Sequence, residues 1–177
     1  MKKMALVFIA LFLFVSTASA QKGVMKVEPS LVIAFPQDGT SMGFGLNGTF
    51  FYGINENIDL TGTLGYVTWS YSDWDGSLSS IPILFGGRYS FGDQSGFTPY
   101  AAAELGFHFM SFSYEYAGIP GLYAGETYTS SSTEFGLGLG GGAYYQMGNL
   151  TLDGNLQYNT MGGNGYFAIE LGVVFGI

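Results

Sequence analysis

The chain has one arginine, Arg88, and one histidine, His108, in 177 residues. Any ion-pair or acid–base chemistry must run through few groups. Side chains of an extended strand point alternately to two faces. On that parity Arg88 shares a face with Glu104 on the next strand, and Lys26, Glu28, Asp153 and Glu170 fall on the same side. Unpaired charge in a low-dielectric interior is costly, so these six are expected to form a network. It would act as a plug tying opposite walls together, or as a constriction for small solutes. His108 has Ser111 three positions on, with opposite parity, so no Ser-His-acid set forms within that strand. One His and no Cys leave no His-rich or thiolate metal site. No catalytic, cofactor-binding or metal site is expected.

Two further stretches carry polar chemistry. Asp73, Trp74 and Asp75 stand in one break between apolar segments, and Tyr123 and Tyr128 in another. Aromatic and acidic side chains together suit sugars, cations or a partner protein. The run Asp73-Trp74-Asp75-Gly76 is too short for a Ca²⁺ loop. Gly136-Leu137-Gly138-Leu139-Gly140-Gly141 fits a dinucleotide fingerprint in letters only, since it lies within a strand with no helix after it. That glycine line removes volume from one wall and makes room for Tyr100, His108 or Phe51, or for a narrow channel.

The elements that position these groups are strands. In residues 150–160, Thr151, Asp153, Asn155, Gln157 and Asn159 take one face, and Leu150, Leu152, Leu156 and Tyr158 the other. Eight alternating segments lie near 24–35, 42–53, 57–69, 80–91, 97–114, 133–147, 150–160 and 166–177. Turn-forming residues separate them, among them Asn55-Glu56-Asn57, Gly92 to Gly96, Gly118 to Ser132 and Gly148-Asn149. The second, fourth and sixth connections are short. The first, third and fifth are longer, and the fifth is longest. Most segments reach the ~9–11 residues that a tilted strand needs to cross the hydrocarbon. In lipid an open sheet edge would leave backbone groups unsatisfied, so the sheet is expected to close.

Composition decides which face is outside. Residues 1–20 read as a cleaved signal peptide: Lys2 and Lys3, an apolar core from Met4 to Val15, then Ala18-Ser19-Ala20. Residues 21–177 then form one domain. It keeps three basic residues, Lys22, Lys26 and Arg88, against all 13 acidic ones, a net charge of −10. That excludes a nucleic-acid partner, which needs clustered Lys and Arg. Charged residues are 10% of the chain, where soluble proteins average about 25%. The bulky residues of one parity, such as Leu31, Phe44, Leu64, Phe85, Phe107, Leu137 and Phe167, would not fit inside eight strands, whose lumen side chains already fill. They belong outside, in lipid. Tyr52, Tyr89, Phe97 and Tyr145 near the short turns, and Tyr66, Trp69, Phe109 and Tyr158 toward the long loops, are candidate aromatic girdles, although the parity of Trp69 is inward and counts against it.

With these features the chain resembles the small eight-stranded outer-membrane barrels of Gram-negative bacteria, the OmpA/OmpX-type family. The resemblance implies an all-β, antiparallel, up-and-down transmembrane barrel in the outer membrane, surrounded by lipid and lipopolysaccharide, and monomeric. The last eight residues, Glu170 to Ile177, look like the family's terminal assembly signal, with Ile177 where a final Phe is commonest. The resemblance implies that Glu170, Gly172, Phe175 and Ile177 are read by the barrel-assembly machinery. It favours a structural or surface-interaction protein acting through long loops. A narrow pore for small solutes is the alternative, and a lipid-modifying enzyme a more distant one.

Overall fold

The computed structural model describes residues 23–37, 41–70, 76–92, 96–116 and 126–177. The signal segment 1–20 and the loop candidates Asp73, Trp74, Asp75 and Tyr123 lie outside the described residues. Eight strands run β1 (Met25–Pro36), β2 (Gly43–Gly53), β3 (Ile58–Ser70), β4 (Gly76–Ser90), β5 (Phe97–Tyr116), β6 (Glu126–Met147), β7 (Leu150–Met161) and β8 (Asn164–Gly176). Each pairs antiparallel with its sequence neighbours, and β1 pairs with β8 to close the barrel. Closure leaves both ends of the barrel chain together: the Ile177 amide donates to the Met25 carbonyl at 3.0 Å.

Turn chemistry fixes the register. Between β2 and β3 the Asn55 side-chain oxygen accepts from the amides of Asn57 and Ile58, at 2.9 and 2.8 Å. The β7–β8 turn rests on Gly162 and Gly163, both at positive φ (57° and 99°), which only glycine adopts at little cost. That turn lies at the long-loop end, yet it is as tight as any at the other.

Parity sorts the side chains as expected. Leu31, Leu46, Leu64, Phe85, Phe107, Phe135, Phe167 and Leu171 stand exposed around the outside. Soluble monomers rarely expose a contiguous apolar patch beyond a few hundred Å². Here the patch encircles the molecule, so hydrocarbon is its natural surround. Tyr52, Tyr66, Tyr89, Phe97, Phe109 and Tyr145 are outward, as girdles require. Trp69 is not. It is 1% exposed and buried in the lumen, because odd-numbered residues of β3 face inward.

Two strand starts differ from the sequence reading. β4 begins at Gly76 rather than near 80, and β6 at Glu126 rather than near 133. The β5–β6 ladder runs up to Tyr116 opposite Glu126, whereas β7 reaches β6 only up to Gly138. This part of β6 therefore stands above β7, with solvent on both of its faces, while β5 stays paired with β4 up to Tyr114. Thr127 to Thr133 are all exposed, so apolar alternation has no reason to appear. Tyr128 accordingly sits within a strand, opposite Tyr114, and not in a loop.

Candidate functional site

The lumen is filled in three layers. The lowest, toward the short turns, is built on Arg88. Its Nη1 donates to Glu28 Oε2 at 3.1 Å, to Asp153 Oδ2 at 2.7 Å and to the Tyr144 hydroxyl at 3.0 Å. One guanidinium from β4 thus ties β1, β6 and β7. Its Cζ lies over the rings of Phe51 and Tyr100, 4.8 and 4.6 Å from their centroids. Cation–π contact of this kind strengthens when water is excluded. The Tyr100 hydroxyl donates to both Asp153 oxygens at 2.9 Å. Lys26 pairs separately with Asp59 at 2.9 Å. Beneath this layer a pocket of about 180 Å³ opens at the short-turn end, lined by Lys26, Ser90, Thr98, Tyr144, Gln146 and Thr151 among others.

The middle layer is polar. Glu104 accepts from Thr61, Thr63 and Gln157 at 2.9, 3.0 and 3.2 Å. Asn47 donates to Glu170 at 3.0 Å. Gln157 also reaches Asn159, and Asn155 donates to Gln157.

The upper layer is apolar. Val32, Ala34, Val67, Trp69, Met161, Tyr166 and Ala168 pack together, with Leu78 and Met110 against them. Trp69 meets Tyr166 edge to face at 5.3 Å. His108 borders this layer and contacts the Ser80 hydroxyl through Nδ1 at 3.3 Å. Both are fully buried, so the serine partner is Ser80 on the adjacent strand rather than Ser111, and no lipid reaches the pair.

The six charged residues read from sequence all face the lumen, but they do not form one network. Arg88 gathers Glu28 and Asp153; Lys26 joins Asp59; Glu104 and Glu170 are held by neutral groups. Register explains the separation, since Arg88 stands opposite Ala102 and Glu104 opposite Gly86. Sequence reasoning missed the roles of Asp59, Tyr144 and Gln157. Their inward parity was a usable signal, but parity says nothing about height along the barrel. The glycine line seats two of the three aromatic groups expected of it. A Cβ on Gly142 would come 2.6 Å from the Tyr100 hydroxyl, and one on Gly136 would come 2.6 Å from His108 Nε2. Phe51 packs on Arg88 instead.

Among solved structures the chain is similar to Neisserial surface protein A, with 23% identity, a TM-score of 0.58, and 87% and 96% of the two chains covered. It is similar to Ail, the attachment invasion locus protein of Yersinia pestis, at 15% identity and TM-score 0.60, covering 88% and 100%. A major outer membrane protein of Thermus thermophilus gives 15% identity and TM-score 0.62, covering 86% and 99%. The fold is that of the small OmpA/OmpX-type outer-membrane barrels. No protein-family model matches this barrel's sequence, and no curated protein matches it. The common ground is architecture, the small outer-membrane β-barrel.

Proposed function

We propose that this barrel is a non-enzymatic, monomeric outer-membrane protein that meets partners outside the cell through its raised β5–β6 ribbon. The carrying observation is the open edge of β6. From Glu126 to Gly136 its backbone has a ladder partner on the β5 side only, among the described residues. An unpaired strand edge presents rows of N–H and C=O groups that another extended chain can complete. Tyr128, exposed on this strand, adds an aromatic anchor. The loop residues Asp73, Trp74, Asp75 and Tyr123 are proposed as further contacts for the same partner.

Ail has been captured with the heparin analogue sucrose octasulfate. A polysulfated ligand calls for clustered basic side chains. Beyond residue 20 this chain has Lys22, Lys26 and Arg88 alone, and the last two are turned into the lumen. The partner proposed here is therefore an uncharged or basic extended segment.

The pore reading meets two obstacles in series, the Arg88 layer and the Trp69 layer. Planar-bilayer recording of the refolded chain should give no conductance step, and Arg88→Ala should give none either, because the upper layer remains. A stable step in the unaltered protein would replace this reading with the pore. Replacing residues 111–132 by a two-residue turn also removes the β4 partners of Ser111 to Tyr114, so urea unfolding should show a loss of stability while heat-dependent gel mobility still reports a folded barrel. The same trimming should abolish surface attachment of cells displaying the protein, and unchanged attachment would count against the ribbon.

Glu170, Gly172, Phe175 and Ile177 are proposed as the segment read by the assembly machinery. Phe175 is outward and exposed on β8. Phe175→Ser should lower the folded yield in cells several-fold while leaving refolding in detergent intact, read by heat-dependent gel mobility.

A further inference from the structure

The lumen opens at the short-turn end into a pocket of about 180 Å³. The Arg88 layer closes its inner end, where Tyr144 belongs to both. The pocket is blind, so what enters it must leave by the same mouth.

Its walls hold more hydrogen-bond donors than the protein uses. Thr98 is 4% exposed, borders the pocket, and its hydroxyl has no partner among the described residues. The Tyr144 oxygen accepts from Arg88, which leaves its own hydrogen without an acceptor among the described residues. Lys26 gives one ammonium hydrogen to Asp59 and keeps two. The Gln146 amide and the Thr151 hydroxyl lie on the same wall. Among the described residues no carboxylate lines the pocket. Asp59 and Asp153 are engaged by Lys26 and Arg88. Phe51 and Val174 add apolar surface, and the Lys26 ammonium lies 5.8 Å from the centroid of the Phe51 ring.

We propose that this pocket binds a small organic carboxylate that enters from the periplasmic side. A carboxylate only accepts hydrogen bonds, and bonds from N–H and O–H groups to an ionised acceptor are the strong ones. One ammonium, already shared with Asp59, suits a single negative charge better than the roughly two of a phosphate. Size sets the rest of the guest. An apolar cavity of about 150 Å³ holds benzene, with its six non-hydrogen atoms. The pocket therefore takes a carboxylate on a chain of about three carbons, with its methylenes against Phe51 and Val174. This site lies at the opposite end of the barrel from the raised part of β6, so it stands whether or not that strand meets a partner.

The test titrates butyrate into the refolded, isotope-labelled chain in micelles and follows backbone and Gln146 side-chain amides by NMR. Saturable shifts are expected at Thr98, Gln146 and Thr151, with a Kd on the order of millimolar, as suits so small a guest. Butyramide has the same shape without the charge and should bind at least tenfold more weakly. Inorganic phosphate should bind more weakly than butyrate too. Lys26→Met with Asp59→Asn removes the ammonium without stranding an acid, and should weaken butyrate at least tenfold. Thr98→Val removes only a hydroxyl and should weaken it about fivefold. No saturable shift with butyrate, equal binding of butyramide, phosphate binding as tight as butyrate, or full affinity in either variant would each overturn the site. Should the double variant not fold, Thr98→Val and the comparison of butyrate with butyramide decide.

Discussion

Arg88→Ala should cost this barrel about 3–5 kcal/mol, the usual loss when one partner of a buried ion pair is removed. The side chain is 4% exposed, and its removal strands the carboxylates of Glu28 and Asp153, which are buried more deeply still. It also removes the cation from over the rings of Phe51 and Tyr100. Arg88→Lys should recover only part of the loss. A lysine is a point charge without the planar fork that lies over aromatic rings while reaching three acceptors. Adding Glu28→Gln and Asp153→Asn to Arg88→Ala should restore most of the stability, since the stranded charges then disappear. Urea unfolding in micelles, followed by tryptophan fluorescence, measures all three variants against the unaltered chain. A loss below about 1 kcal/mol, the range of exposed pairs, would mean that water reaches this layer.

Gly106→Val should have the larger effect on folding yield. Gly106 faces inward on β5, where the wall of β4 comes close. A Cβ there would run into the carbonyl oxygen of Ile83 and lie 2.9 Å from the Leu84 Cα. Overpacked cores typically lose about 1–3 kcal/mol when neighbouring side chains can move. Here the obstacle is backbone held in a ladder, so the cost should exceed that range and leave little folded protein. Gly154→Ala is the control. Gly154 is on the lipid side of β7, and its added methyl would meet only the Leu171 side chain at 3.9 Å. Its folded yield should match the unaltered chain. Equal yields for the two variants, read by heat-dependent gel mobility, would contradict the close approach of β4 and β5.

Much of this architecture is legible in the order of the residues. Strand number, closure and the inward set follow from alternation, because lipid outside and packed lumen inside make the two faces chemically opposite. Parity places Arg88, Glu28 and Asp153 on one face. It does not bring them into contact, because they lie on β4, β1 and β7 and meet only across the closed lumen, at heights set by strand stagger. Trp69 shows the same limit: its parity is inward, and only its packing on Tyr166 places it in the upper layer. The start of β6 is hidden for the opposite reason. Thr127 to Thr133 have the same solvent on both sides, so nothing selects apolar residues at alternate positions. The Ser80–His108 contact links residues 28 apart in sequence, and parity within one strand could not supply it.

The doubly stoppered interior has a consequence for the cell. A membrane protein that conducts must be rationed, since every copy is a leak against turgor and ion gradients. On the closed-barrel reading proposed above, this chain could be displayed densely without collapsing either.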